Sequence, residues 1–593
     1  MKKIILFSLI FFFLSFSFTK ATIRYVSHNS TPTPPYTTWE TAADSIQKCI
    51  DYSFDGDTII VANGTYYESL VVNKYLSLIG SSMDSTIIDG TGLANSTINF
   101  EEDGFIKNFF IKGKGQGISQ TSCLLNYLCD VYVKNCRLVN ALEGVTLVWS
   151  SSIINQCFIM GVAQGYSTYC SIDTCNPQIE NSVILINNSL YAGINIGTGK
   201  NIANKNNILG GSNSYYGVGI SFSSSKNIIK NNVVSGFNKN VDGFADDSAT
   251  VYNNISSYAS GRGYTLNSKT DMRNNISAYN AAGVVGPTST NSDYNLYWQN
   301  NTNTTEGLSE HDIVADPMFV NDTIPVYGGG YDYHLQKYSP AIDAGDPNIL
   351  DVDGSRSDIG VFGGPGGEMY TYLDLAPKPP ANLTAVYDSG LVKLKWDKNT
   401  EADLFRYRVY RDTVANFIYD TTKIIAVTAD TFYFDDLPEK YLAGNYYYKI
   451  TAIDSAYHQS AASEEVNVKI TGAPEGPPIV VEEYKLLHNY PNPFNPSTRI
   501  PYRLKDGGYV KLLIYDIKGE LLRVLVNEYQ NAGYYEVEFA PRGNEIERGK
   551  LPEAFETGYR GDIASGIYLY RIEVIGEGKI PRFVDMGKMI YVK

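Results

Sequence analysis

The sequence predicts an all-β chain, with a repeat solenoid in its longer N-terminal part and separately folded β units after it. Three observations carry this reading. Nine asparagines recur at Asn108, Asn135, Asn155, Asn181, Asn206, Asn231, Asn253, Asn274 and Asn295, with gaps of 27, 20, 26, 25, 25, 22, 21 and 21. Each heads a short β-prone run, from N-FFI at Asn108 to N-LYW at Asn295. A unit of about 23 residues with one polar turn and one such strand cannot bury its apolar face alone, so successive units must stack. The length of 593 residues exceeds one compact core and implies several domains. Beyond the stiff linker Pro377-Lys378-Pro379-Pro380 the strand-like segments continue at a different spacing.

The elements follow in chain order. Lys2 and Lys3 precede an apolar run from Ile4 to Phe18, with Thr19 and Ala21 at the -3 and -1 positions, which predicts a secretory signal peptide over residues 1–21. No later stretch approaches about 18 apolar residues, so no transmembrane helix is expected after cleavage. Trp39 to Tyr52 places Ala42, Ala43, Ile46, Cys49 and Ile50 on one helical face. This predicts a short amphipathic helix, read as the cap that covers the exposed edges of the first coil. Asp55 to Ser82 alternates β-branched runs with Gly and Asn turns and forms the first coils.

All seven cysteines (Cys49, Cys123, Cys129, Cys136, Cys157, Cys170 and Cys175) precede residue 176, and their spacings match no zinc pattern. Cys136 and Cys157 follow successive ladder asparagines, and two readings stand for them: a buried apolar ladder or one disulfide. With 48 Lys+Arg against 63 Asp+Glu, the net charge of -15 disfavours nucleic acid and anionic membranes as partners.

The string SIQKCIDYSFDGDTIIVANGTYYESLVVNKYLSLIGSS resembles the opening of right-handed parallel β-helix proteins of the pectate lyase-like superfamily. The resemblance implies a parallel β-helix over residues 22–370, in which stacked asparagines at one turn exchange amide hydrogen bonds along the axis. Roughly a dozen coils at about 4.8 Å each make a rod on the order of 55 to 60 Å long. Such rods present a long face to extended polysaccharides. Two functions follow as expectations: binding or adhesion to extracellular polysaccharide or surface glycan, and cleavage by a polysaccharide lyase or glycoside hydrolase with divergent catalytic residues.

The catalytic expectation centres on Asn240 to Asn275, where Asp242, Asp246 and Asp247 fall within six residues. A β-elimination lyase needs positive charge to neutralise the substrate carboxylate and a Lys or Arg base beside it. Arg262, Lys269 and Arg273 lie one coil further on. The phrase NVDGF resembles the first calcium-ligand motif of the family 9 polysaccharide lyases, and carries Asp242 over as a ligand position. Its expected partner motif is here Ser260 to Leu266, where Gly261, Arg262 and Thr265 replace the acidic ligands. None of the five histidines lies among the repeats, and Asp242 with Asp246 would serve a glycosidase only at about 5 to 10 Å separation.

The segment Asp312 to Gly364 resembles the terminal coils of secreted bacterial β-helix proteins. Its aspartates, Asp343, Asp346, Asp351, Asp353 and Asp358, are either Asx-turn residues or oxygen ligands for a hard cation, with Asp351, Asp353 and Asp358 as the calcium candidates. Residues 377–472 resemble a fibronectin type III domain, with Trp396 in the core and Tyr446 and Tyr448 on a late strand. Residues 480–593, with LLHNYPNPFNPSTRIPYRL at their start and KMIYVK at their end, resemble a type A sorting domain of the type IX secretion system. The resemblance assigns Pro491, Asn492, Pro493 and Phe494 to the start of the domain and Gly587, Lys588 and Met589 to the terminal signal. It implies the type IX machinery as a partner, and a secreted or outer-membrane-surface location.

Overall fold

A computed structural model of the chain describes residues 21–592 except 94–95, 114–121, 163, 170–174, 187–191, 198–199, 211–216, 223–225, 244–248, 287–291, 323–330, 389–390, 438–442, 471–482, 491, 541–563 and 577–580. Residues 1–20 of the expected signal peptide, Asp246, Asp247 and Pro491 fall outside the described residues. The chain divides into two compact units, Met1–Asp374 and Leu375–Lys593.

The first unit is a parallel β-solenoid of three sheets with twelve, twelve and eleven strands. Each coil contributes one strand to each sheet in turn, so strand Val131–Lys134 of the first sheet is followed by Arg137–Val139 of the second and Glu143–Val148 of the third. Register is kept coil after coil. Ile106, Val133, Ile154, Ile179, Ala203, Ile229 and Val251 form one inward column of the first sheet, every member fully buried. A one-residue slip would turn that column to water, which is why the alternation specifies the register.

The helix is shorter than expected, Ile46–Tyr52, although Ala42 and Ala43 are buried as the pattern required. Ser45 caps it, and the Glu68 carboxylate accepts from the Ile46 and Gln47 N–H groups and from the Ser45 hydroxyl at 2.8–2.9 Å. An acid on these orphan donors sets the helix start. Gln47 acts as a surrogate strand: its Oε1 accepts from Val71 N at 2.9 Å and its Nε2 donates to Val71 O at 3.2 Å. The edge strand Leu70–Val72 is thereby covered, and the third sheet has one strand fewer than the others.

The corner between the first and second sheets sorts eight of the nine recurring asparagines into two columns. Asn108, Asn135, Asn181, Asn231, Asn253 and Asn274 hold left-handed backbone with φ of 49–62°, a conformation that asparagine tolerates better than most residues. Gln156, Lys205 and Tyr294 take the same position in the remaining coils. Asn206 and Asn295 belong instead to the next column, which runs Phe109, Cys136, Cys157, Ser182, Asn206, Asn232, Asn254, Asn275, Asn295. Asn155 precedes the corner, as the last residue of strand Ile153–Asn155. This second column is the internal ladder. From Asn206 on, each Oδ1 accepts both the backbone N–H of the corresponding residue one coil earlier and, where that residue is Asn, its Nδ2, at 2.9–3.1 Å. Cys136 and Cys157 occupy it as free buried thiols, and Cys175 is disulfide-bonded. Burial raises the Cys136 thiol well above its ordinary pKa, with Cys157 adding to the shift.

The second unit is antiparallel. A three-stranded sheet (Thr384–Asp388, Leu391–Lys395, Phe432–Asp435) and a four-stranded one (Ile424–Thr428, Leu404–Asp412, Gly444–Asp454, Val466–Ile470) contribute to a core containing Trp396, Tyr407, Tyr446 and Tyr448. A further three plus four strands, from Lys485–Leu486 to Pro581–Tyr591, surround Ile500, Leu512, Ile572 and Met589.

Candidate functional site

The outer face of the third sheet carries the polar residues of the Asp242 region. Its geometry begins with a glycine column, Gly144, Gly165, Gly193 and Gly219, where a Cβ would stand 2.5–2.8 Å from a carbonyl of the next coil. Only a bare backbone passes there. Glu143 precedes Gly144 and Lys239 precedes Asn240, and both turn their charged ends outward onto a second column: Thr146, Ser167, Asn195, Ser221, Asp242 and Thr265.

Asp242 is fully buried, and its Oδ2 accepts from Lys239 Nζ at 2.9 Å. Its Oδ1 is buried without a hydrogen-bond partner among the described residues, as is Oγ1 of Thr265, its register neighbour. Arg262 is exposed and lies in register with Lys239. Lys269 is exposed in the turn closed by Thr270 N donating to Asn267 O, beyond the end of strand Arg262–Thr265. Arg273 belongs to the first sheet and pairs with Asp271 and Asp346. Of the expected cations, the sheet therefore brings Arg262 to the Asp242 region, and Lys239 supplies the direct partner.

This arrangement does not fit calcium as the lyase resemblance would build it. One of the two oxygens of Asp242 already accepts from an ammonium group, and the next coil offers Gly261, Arg262 and Thr265 where further carboxylates would be required. Nor does Glu143 complete a carboxylate pair with Asp242. The two strands stand four coils apart in the sheet order, about 19 Å at 4.8 Å per coil, well beyond either glycosidase geometry.

Glu143 builds a cluster that only the register between coils assembles. Its carboxylate accepts from the Thr146 hydroxyl, from Ser167 at 2.9 Å and from Tyr169 at 3.5 Å, while Ser122 and Thr146 share a 2.6 Å bond. Burial, followed by the Glu143 charge, raises the Tyr169 hydroxyl above its usual pKa. Three large aromatics border this strip: Tyr127, Trp149 and Tyr169 are 54, 48 and 47 % exposed. Tyr127 and Tyr169 end strands that both register with Val148, and Trp149 follows Val148. Their spacings of 22 and 20 residues are close to the repeat, but only the register puts them on one edge.

The calcium candidates near residue 350 are occupied by protein. Asp351 accepts from Asp358 N at 3.1 Å and Gly364 N at 2.5 Å, and Asp358 accepts from Asp343 N at 2.9 Å and the Tyr372 hydroxyl at 2.8 Å. Asp353 holds an Asx turn through Ser355 at 2.6–2.9 Å. No three of these carboxylates bring ligand atoms within 4.8 Å of one another. Burial raises Asp358 to about 6 and also raises Asp351, whereas the Ser355 bonds lower Asp353.

At the C-terminus, Asn492 joins the start of the last sandwich to its final strand. Its Nδ2 donates to Lys588 O at 3.1 Å and its Oδ1 accepts from Ile590 N at 2.8 Å. Phe494 extends the pairing to Tyr591 and packs on Phe539 and Tyr591. Pro493 lies between these two residues. Gly587 sits under Tyr570, whose ring carbon would stand 2.0 Å from a Cβ, and Met589 is fully buried, whereas Lys588 is exposed.

No family model and no curated protein matches the sequence. Among solved structures the chain is similar to the pectate lyase Pel9A, at 13 % identity over 58 % of this chain and 96 % of that one, with a TM-score of 0.34. It is also similar to the pectin methylesterase PemA from Erwinia chrysanthemi, at 11 % identity over 50 % and 94 % with a TM-score of 0.22. A Fn3-like protein from Clostridium thermocellum matches at 24 % identity over 17 % of this chain and 98 % of that one, with a TM-score of 0.14. At scores this low, the fold rests on the coil register of the chain itself: a parallel β-solenoid followed by antiparallel sheets.

Proposed function

We propose that this is an exported β-helix protein that engages extracellular polysaccharide through the outer face of the third sheet, binding the chain rather than cleaving it. The observation that carries the reading is the exposed row Tyr127, Trp149 and Tyr169 beside the Glu143, Thr146 and Ser167 strip. Flat aromatic faces stack on the apolar faces of sugar rings, and adjacent hydroxyl and carboxylate groups meet their hydroxyls. The Lys239–Asp242 ion pair supports binding over elimination, because it neutralises the one acid the lyase-like motif retains. Signal peptide cleavage and type IX export to the surface or medium are part of the proposal and rest on the N-terminal and C-terminal sequence patterns. The fibronectin-like region acts in it as a spacer.

A second reading, a carbohydrate-active enzyme with divergent residues, is favoured by one observation: Asp242 Oδ1 and Thr265 Oγ1, on residues in register, are buried without partners among the described residues. Incubation with uronic-acid polysaccharides, with and without calcium, separates the two. The expected result is retention on a glycan array, weakened by Trp149→Ala and Tyr169→Ala, with no ultraviolet-absorbing unsaturated product. Appearance of such a product, lost in Asp242→Ala, would establish the enzyme instead.

A further inference from the structure

The corner between the first and second sheets is one continuous groove that the chain itself fills over only half its length. In the later coils, residues 343–367 run back along it. Asn274 Oδ1 accepts from Asp346 N at 2.7 Å, Asn253 Nδ2 donates to Asp358 O at 2.9 Å, and Asn231 Nδ2 donates to Val361 O at 2.9 Å and Gly363 O at 2.8 Å. The approach is close enough that a Cβ on Gly345, Gly363 or Gly366 would stand 2.5–2.8 Å from an asparagine side chain of this column. Ile359 packs with Val233, Ile255, Ile276 and Leu296 of the second sheet, and Arg273 pairs with Asp346. The corner thus grips an extended, glycine-rich, acidic strand by three devices: amides to its carbonyls, an apolar step for one side chain, and a cation for a carboxylate.

All three devices recur in the earlier coils, where the groove is open, with a volume of about 710 Å³. Asn108, Asn135 and Asn181 continue the left-handed asparagine column. Phe158 and Val183 continue the outer column that holds Val233, Ile255 and Ile276, with Asn207 between Val183 and Val233 and with Arg137 between Phe158 and Phe110, over both of whose rings its guanidinium lies. Lys107 and Lys134 belong to the same column as Arg273. These lysines are register neighbours, so two like charges stand about 5 Å apart at the backbone, and neither has an ion-pair partner among the described residues. Uncompensated like charges on adjacent strands are unfavourable, and an anionic ligand relieves them.

We infer that the open half of this groove is a docking site for an extended acidic polypeptide with glycine where its backbone meets the asparagine column, seated as residues 343–367 are seated in the filled half. Its aspartates meet Lys107 and Lys134, and an aliphatic side chain packs on Phe158 and Val183, which line the open groove. This site is on a different corner from the proposed glycan face, so each proposal stands or falls alone.

The probe is a fluorescent synthetic peptide of this chain's own sequence Asp343–Gly367, titrated into the full chain, whose own copy of that segment already fills the later coils. Saturable binding is expected, weakened at least about tenfold in Lys107→Glu/Lys134→Glu, where two exposed ion pairs become repulsions, and retained in Lys107→Arg/Lys134→Arg. Glu180 already occupies the same column, so the glutamates are compatible with the fold. No binding, or binding indifferent to the charge reversal, overturns the inference. Binding of an oligogalacturonate that the charge reversal abolishes, with no peptide binding, overturns it in favour of an acidic glycan.

Discussion

Replacing Asn254 by alanine tests whether the internal ladder is a structural spine. Asn254 Oδ1 is the acceptor for both Asn232 N and Asn232 Nδ2 at 3.0 Å, and its Nδ2 donates to Ile229 O at 2.8 Å and Asn275 Oδ1 at 3.0 Å. After truncation, Asn232 Nδ2 retains the Ala203 and Lys230 carbonyls, and Asn275 Oδ1 retains the Asn254 backbone N–H. The Asn232 backbone N–H loses its acceptor, and the Ile229 carbonyl loses its side-chain donor. Both lie at a fully buried corner that water does not reach. One orphaned buried backbone N–H, that of Asn232, predicts a loss of about 1–3 kcal/mol, since the Ile229 carbonyl keeps its place in the strand ladder. Because a coil contacts only its neighbours, the loss should be local, and a single global unfolding energy is ill-defined for so long a chain. Hydrogen exchange read by mass spectrometry on strands Ile228–Lys230 and Thr250–Tyr252 is the appropriate assay. A decrease below about 1 kcal/mol in their opening free energy would refute the reasoning, as would equal loss in the distant coils around Val131.

Three further outcomes are expected. Asp358, raised to about 6 from an ordinary 3.8, binds its proton more tightly folded than unfolded, so its contribution to stability is full below about 3.8 and lost as pH rises through about 6. Asp358→Asn should therefore melt higher than the parent in neutral buffer, with the advantage vanishing in mildly acid buffer; a pH-independent difference would contradict this. Gly587→Ala must displace the buried Tyr570 ring, and should destabilise the last sandwich by about 1–3 kcal/mol in urea unfolding of the second unit. The thiols of Cys49, Cys123, Cys129, Cys136 and Cys157 are buried, and burial raises Cys49 and Cys123 to about 12 and Cys129 to about 11. A thiol reagent should label them only after denaturation, and rapid labelling of the native chain would show that the ladder opens.

The sequence by itself determined the solenoid, because a repeat that buries one face per strand leaves stacking as the only way to satisfy its apolar residues. It also determined the change of architecture after the proline-rich linker, and Trp396 as a core residue. Helix length escaped it, since the start is set by Glu68, which is 22 positions beyond Ile46. So did the sorting of the nine asparagines: a one-residue offset separates a residue chosen for left-handed backbone from one chosen for its internal amide bonds, and spacing with gaps of 20 to 27 cannot resolve one residue. Only the tertiary structure decided which charges meet. Lys239 rather than Arg273 or Lys269 neutralises Asp242, and Glu143 joins Ser167 and Tyr169 across coils, because side-chain neighbours in a parallel solenoid are set by register between coils, and insertions of differing length in the turns conceal that register from the linear chain.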